Sequence, residues 1–175
     1  MSGRAPDYAE PIDGWRTWLV DDSRDEARLM SVVRQAEWPV GEPTAAACPW
    51  VGFAHRPPGP GCRCGIYAAR NVDQAAFYAG LPSRSETPLA IGLVSLWGTV
   101  VEAEEGWRAS SAYPLVLYVP MRRAAERLRC ERIVWDLTAY GVPTTLLDCT
   151  ERDVADALRA ATPAARAPMP RAIAA

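Results

Sequence analysis

Between Ile91 and Glu102 the side chains alternate along the chain, with Leu93, Ser95, Trp97, Thr99 and Val101 on one side and Val94, Leu96, Gly98, Val100 and Glu102 on the other. A period of two marks a β-strand, and Glu104-Glu105-Gly106 provides the turn that returns it as a second strand over residues 107–119. Near the N-terminus the same alternation sets Trp15, Thr17 and Leu19 against Arg16, Trp18 and Val20. Asp21-Asp22-Ser23 then turns the chain toward residues 27–33, predicting another hairpin. Residues 64–68 form a short apolar strand, after which Asn71, with Gln74 three positions on and Gly80 beyond, brackets a helix.

The pattern changes after Pro120, which fits a first helical position. Met121, Ala125 and Leu128 make one apolar stripe and Ile133, Val134 and Leu137 a second, out of phase with it, so a kinked or broken helix ending at Gly141 and Pro143 is expected. Residues 144–147 read as a short strand. Thr150 with Asp153 three residues later opens a final helix through Ala161, with Val154 and Leu158 facing inward. Gly-Trp-Arg occurs at 14–16 and 106–108, too little to define a repeat. The fold class that results is α+β, with a mostly antiparallel sheet, a small barrel as its alternative closure, and two or three peripheral helices.

A length of 175 residues supports one well-filled core. Residues 14–162 are assigned to that domain. Residues 1–13 and the Ala/Pro-rich stretch 163–175 lack any apolar period and are expected to be disordered arms. Residues 38–61 interrupt the domain with Pro39, Pro43, Pro49, Pro57, Pro58, Pro60 and four glycines, a composition that excludes continuous regular structure and calls for some other means of ordering.

Charge and composition narrow the partner classes. A formal net charge of −2 gives no general attraction to nucleic acid or anionic membrane. All 19 Lys/Arg positions are Arg, so Schiff-base and P-loop lysine chemistry are excluded, and the bias fits either GC-rich codon usage of a bacterial kind or selection against Lys. No apolar core follows Met1 as a secretory signal would require, and the uncharged run after Glu86 is broken by Pro88, Gly92 and Gly98. A cytoplasmic protein with reduced cysteines is expected. No G-x-S-x-G, Walker, G-x-G-x-x-G or H-E-x-x-H motif occurs.

Against that background one constellation carries chemistry. His55, the single histidine, lies midway between Cys48 and the pair Cys62 and Cys64, in the pattern C-x6-H-x6-C-x-C. Three thiolates and an imidazole match the tetrahedral demand of Zn2+, and a structural zinc would tether the Pro/Gly-rich segment. If Cys62 and Cys64 lay on a strand their positions would be about 6.6 Å apart, whereas sulfurs sharing one zinc converge to roughly 3.8 Å, so a bend at Gly61 and Gly65 is expected. Arg56 and Arg63 are candidates to offset the thiolate charge. The competing reading makes the cysteines small buried apolar residues and His55 an ordinary histidine. Cys130 and Cys149 are assigned to the core or its boundary.

Trp15, Arg16, Trp18, Trp97, Trp107, Arg108 and Tyr113 form a second candidate group, able to stack and hydrogen-bond a planar ligand, although at strand spacing they equally suit a core. Two functions follow: a zinc-stabilised recognition module with a protein or small-molecule partner, or an enzyme for a small molecule or nucleotide that uses Arg16, Arg108 and a thiolate of Cys62 or Cys64. The segments His55-Arg56-Pro57 to Cys62-Arg63-Cys64-Gly65-Ile66-Tyr67-Ala68, Leu96-Trp97-Gly98-Thr99-Val100, Gly106-Trp107-Arg108-Ala109 and Ala112-Tyr113-Pro114 resemble motifs shared by uncharacterised proteins of GC-rich bacteria. That resemblance implies no activity. The run 92–101 is also similar to a strand of barrels of the PUA, ASCH or SH3-like kind.

Overall fold

A computed structural model of the chain describes residues 10–33, 36–49, 55–79 and 87–162. Their order is β1 (Ile12–Asp21), β2 (Arg28–Ser31), β3 (Thr44–Ala45), β4 (Ile66–Ala69), α1 (Val72–Ala79), β5 (Leu89–Ala103), β6 (Gly106–Met121), α2 (Arg127–Leu137), β7 (Thr144–Asp148) and α3 (Val154–Ala161). Both predicted hairpins form, β1 with β2 and β5 with β6.

Strand β6 organises the sheet. One edge pairs with β5 along most of its length, and the other receives β4, β3 and β7 in turn. Only β7 runs parallel to its neighbour. On the far side of β5 lies β1, which also meets β4 through the single pair Trp15↔Ala69. The circuit β1–β5–β6–β4 therefore closes as a ring rather than as the barrel considered from sequence.

Both faces of the sheet are covered, as the apolar content of both faces of β1 requires. Trp18, Val20, Leu117, Val119 and Met121 join Ile133 and Leu137 of α2 in one cluster. Trp15, Ile91, Leu93, Val116 and Tyr118 join Val72 and Ala75 of α1 and Leu158 of α3 in the other. Thr17, the buried polar residue of β1, donates its hydroxyl to Ala75 O at 2.7 Å. Cys130 and Cys149 are both buried, as expected.

Two details of the helical reading are corrected. Pro120 belongs to β6, beyond the last β5 pair Ile91↔Tyr118, where its missing N–H removes no β5 bond. Helix α2 begins only at Arg127, after a 3-10 turn at Ala124–Glu126. The stripe Met121–Ala125–Leu128 does not exist as a helical face, because Met121 is a buried strand residue and Leu128 points outward. Thr150 does not open the last helix. Its hydroxyl donates to Asp148 Oδ1, and Asp153 is the N-cap, accepting from the N–H groups of Ala155 at 2.7 Å and Asp156 at 3.1 Å. Replacing Asp153 with Ala should therefore cost about 1 kcal/mol, a melting shift of about 2–4 °C, while Thr150→Ala should move it less than half as far; calorimetry of the two variants distinguishes the assignments.

The Asn71 cap forms, accepting from Gln74 N at 3.0 Å, whereas Gly80 lies outside the described residues. So do residues 1–9 and 163–175 of the expected arms; Ile12 and Asp13, assigned to the first arm, pair with Leu96 and Ser95 in the sheet. Among the described residues no helix is long and apolar enough to cross a membrane.

Candidate metal centre

The Pro/Gly-rich segment is anchored in two different ways. Its first half is tied to the sheet: Trp38 N donates to Leu29 O, Trp38 Nε1 to Ser31 Oγ, and Ala46 N to Ser110 O just past the β3–β6 pairs. Two tyrosines reinforce it. Tyr140 donates to Trp38 O at 2.8 Å, and Tyr113 donates to Tyr140 O while accepting from Gly41 N at 3.0 Å. These bonds fix the backbone that leads to Cys48.

The second half is held around the cysteines. The ligating atoms of Cys48, His55, Cys62 and Cys64 lie within 4.8 Å of one another, close enough to hold one metal ion. Cys48 Sγ and Cys62 Sγ are 3.8 Å apart, the separation expected for two thiolates on a tetrahedral zinc. His55 Nε2 sits 3.1 Å from Cys64 Sγ, a few tenths of an ångström inside the roughly 3.5 Å of a tetrahedral S–N edge, which a small ring rotation supplies. Cys64 is buried, and the other three are half-buried.

Local backbone explains how C-x-C ligands converge. Cys62 and Cys64 precede β4 rather than lying on a strand, so strand spacing does not separate them. Gly61 at φ +71 and Gly65 at φ +125 occupy left-handed conformations on either side, as required by the bend. Cys62 N closes a turn onto Gly59 O at 3.2 Å. The His55 ring lies directly over Gly59, where an added Cβ would come within 2.2 Å of the imidazole. Gly59 N also donates to Cys64 Sγ at 3.4 Å.

Burial alone raises the Cys62 thiol, but hydrogen bonds from the backbone of Cys64 and Arg63 and from the Cys64 and Cys48 side chains outweigh it and bring it below its ordinary value. Arg108 of β6 donates Nη1 to both Cys62 O and Cys64 O, the latter at 3.1 Å. A guanidinium thus clamps the C-x-C backbone from the sheet, and three thiolates with a divalent ion would leave the net negative charge it can offset. Arg56 and Arg63, the residues expected from sequence to do this, are exposed. Tyr67 donates its hydroxyl to Arg63 O at 2.6 Å, tying the loop to β4.

The aromatic and guanidinium group is spread over the molecule. Trp15 lies in the α1–α3 cluster and Trp107 in the α2 cluster, where Arg70 covers its ring at 4.5 Å. Trp97 is half-buried at an irregularity of the β5–β6 pairing. Tyr113 and Arg108 hold loop backbone. Arg16 inserts its guanidinium beside the rings of Trp18 and Trp38, at 5.9 and 5.0 Å, and donates to Tyr67 O; burial brings its pKa down to about 10. Among the described residues its Nε has no hydrogen-bond partner. The clamp by Arg108 is not visible from spacing, since it depends on β6 lying beneath the loop, and the approach of the His55 ring to Gly59 depends on the folding of the loop itself. No family model, curated protein or solved structure matches the chain.

Proposed function

We propose that the protein is a zinc-stabilised recognition module of a reducing compartment such as the cytoplasm, in which a closed Cys3His centre fixes Cys48 and residues 55–65 against the sheet. The convergence of all four donor atoms within 4.8 Å carries this reading. Zinc suits a set of three sulfurs and one nitrogen, and four protein ligands leave no position for a reacting water. None of the five cysteines is in a disulfide, a state suited to a reducing setting. The surface around the centre displays Arg56, Arg63 and the half-exposed ring of Tyr67, groups suited to a protein or small-molecule partner. The enzyme reading has less support: Arg16 and Arg108 are engaged by backbone carbonyls, and the single histidine belongs to the ligand set. The motif resemblance to uncharacterised bacterial proteins adds no activity to either.

Thiol reactivity tests the closed centre. Burial raises the Cys130 thiol and pushes Cys149 to about 11, so neither should react readily at neutral pH. The native, metal-loaded protein should therefore show no fast thiol toward an aromatic disulfide reagent, and a chelator should release three, located by peptide mapping at Cys48, Cys62 and Cys64. Fast modification of Cys62 or Cys64 before chelation would reject the closed site and favour a reactive thiolate.

Non-specific nucleic-acid binding is not expected. Arg129 and Arg132 share Asp22 of the turn after β1, Arg123 pairs with Glu126, and Arg127 lies 3.5 Å from Glu131, so carboxylates of the same chain accompany the arginines on and just before α2. Random duplex DNA should show little binding at physiological salt, and a steep salt-dependent affinity in the micromolar range or tighter would contradict this.

A further inference from the structure

One edge of β1 is paired with β5 along nearly its whole length. The other edge meets β4 at the single pair Trp15↔Ala69 and β2 from Trp18 onward, so Arg16 and Thr17 have no strand partner on that side. Arg16 spans this gap, with Nη1 donating to Tyr67 O of β4 and Cζ 5.0 Å from the ring of Trp38. Among the described residues that is its one hydrogen bond, although a guanidinium carries five N–H donors. Nε is sealed without a partner, and so is Nε1 of Trp18, whose ring lies 5.9 Å from Cζ. The residue as a whole is half-buried, so water still reaches the outer end of the guanidinium.

The charge in the gap is unbalanced. Desolvation brings the guanidinium down to a pKa of about 10, which leaves it cationic at neutral pH, and no carboxylate among the described residues pairs with it. Of the 21 acidic residues only Asp7 and Glu86 lie outside the described residues. The faces of Trp18 and Trp38 attract the cation, but an indole N–H accepts no hydrogen bond. A desolvated cation with nothing opposite it destabilises a fold, and an apolar side chain would fill the same gap without that penalty. An anion from outside the described fold accounts for an arginine here.

We propose that the gap in the β1 edge between β4 and β2 is an oxyanion-binding site, in which the outer N–H groups of Arg16 hold the phosphate or carboxylate group of a small-molecule ligand. The end of a guanidinium offers such a group two parallel charge-assisted bonds. The sealed N–H groups of Arg16 and Trp18 add to the positive potential behind it. No residue is shared with the Cys3His ligand set, so the site stands or falls independently of zinc.

The test is a titration of the full-length, metal-loaded, 15N-labelled protein with inorganic phosphate and, separately, with acetate, at ionic strength held constant with chloride. It reads the Nε–H signal of Arg16, which sealing from water protects from exchange and which is assigned by its loss in Arg16→Met and Arg16→Lys. The signal should shift saturably with at least one anion, with a dissociation constant of about 1 mM or below. Tighter phosphate marks a phosphorylated ligand, and tighter acetate a carboxylate. Read at the indole N–H of Trp38, Arg16→Lys, which keeps the charge and loses the fork, should weaken binding about tenfold or more, and Arg16→Met should abolish it. No saturable shift with either anion up to about 50 mM, or undiminished affinity in Arg16→Met, would overturn the proposal. So would displacement of the Arg16 signal by Asp7→Asn or Glu86→Gln without added anion, which would set a carboxylate of this chain against the guanidinium.

Discussion

Removing the metal should lower the melting temperature by about 8–16 °C, and Cys64→Ser or His55→Ala should reproduce most of that loss without chelator. The magnitude follows from linkage: an ion present at a thousandfold excess over its dissociation constant stabilises the folded state by about 4 kcal/mol, and a domain of this size shifts by about 2–4 °C per kcal/mol. The effect should be confined to one part of the molecule. Trp38, Tyr113 and Tyr140 hold the segment as far as Ala46 independently of the cysteines, and Arg108 still grips the C-x-C carbonyls. Hydrogen exchange on the metal-free protein should show lost protection around residues 55–65 with β5 and β6 still protected. Unchanged melting in both variants would instead make the cysteines ordinary buried apolar residues.

The second large effect should come from a residue with no ligating atom. Gly59→Ala would place a methyl within 2.2 Å of the His55 ring, and the ring, being the movable party, must swing away from the position it shares with Cys64. Zinc affinity should fall about 10–100-fold, the range seen when groups that orient metal ligands are lost. Fold stability measured with chelator present should change by less than about 1 kcal/mol, because Gly59 contributes no packing to either apolar cluster. Competition against a chromophoric chelator gives the affinity. A variant that binds as tightly as the parent would show that His55 does not ligate from this position.

These two effects mark the boundary between what spacing reveals and what it hides. The C-x6-H-x6-C-x-C pattern and the alternation over residues 91–102 are local signals, read directly because ligand identity and strand period are local properties. What lies along the second edge of β6 is not local. Strands β3 and β4 are only two and four residues long, set in register by Ser110, Arg108 and Trp107 from across the sheet, and no periodicity announces so short a strand. Pro120 misleads for a similar reason: its ring suits a helix start, yet the β7 pairing extends the strand through Met121. The spacing of Leu128 from Met121 and Ala125 reads as one helical stripe, yet the helix begins six residues after Met121 and turns Leu128 to solvent. Arg108 was assigned to a ligand pocket because arginine among aromatics suits one. In the folded chain it binds the carbonyls of Cys62 and Cys64, a contact between residues 44 or more apart in sequence.

The central claim is that four side chains close around one zinc ion, and X-ray absorption at the zinc edge of the protein purified from zinc-replete medium tests it most directly. A single site with three sulfurs at about 2.3 Å and one nitrogen at about 2.0 Å, and no oxygen in the first coordination sphere, is the predicted result. Absence of zinc, or a coordination sphere with two or fewer sulfurs and a bound water, would contradict the closed Cys3His centre.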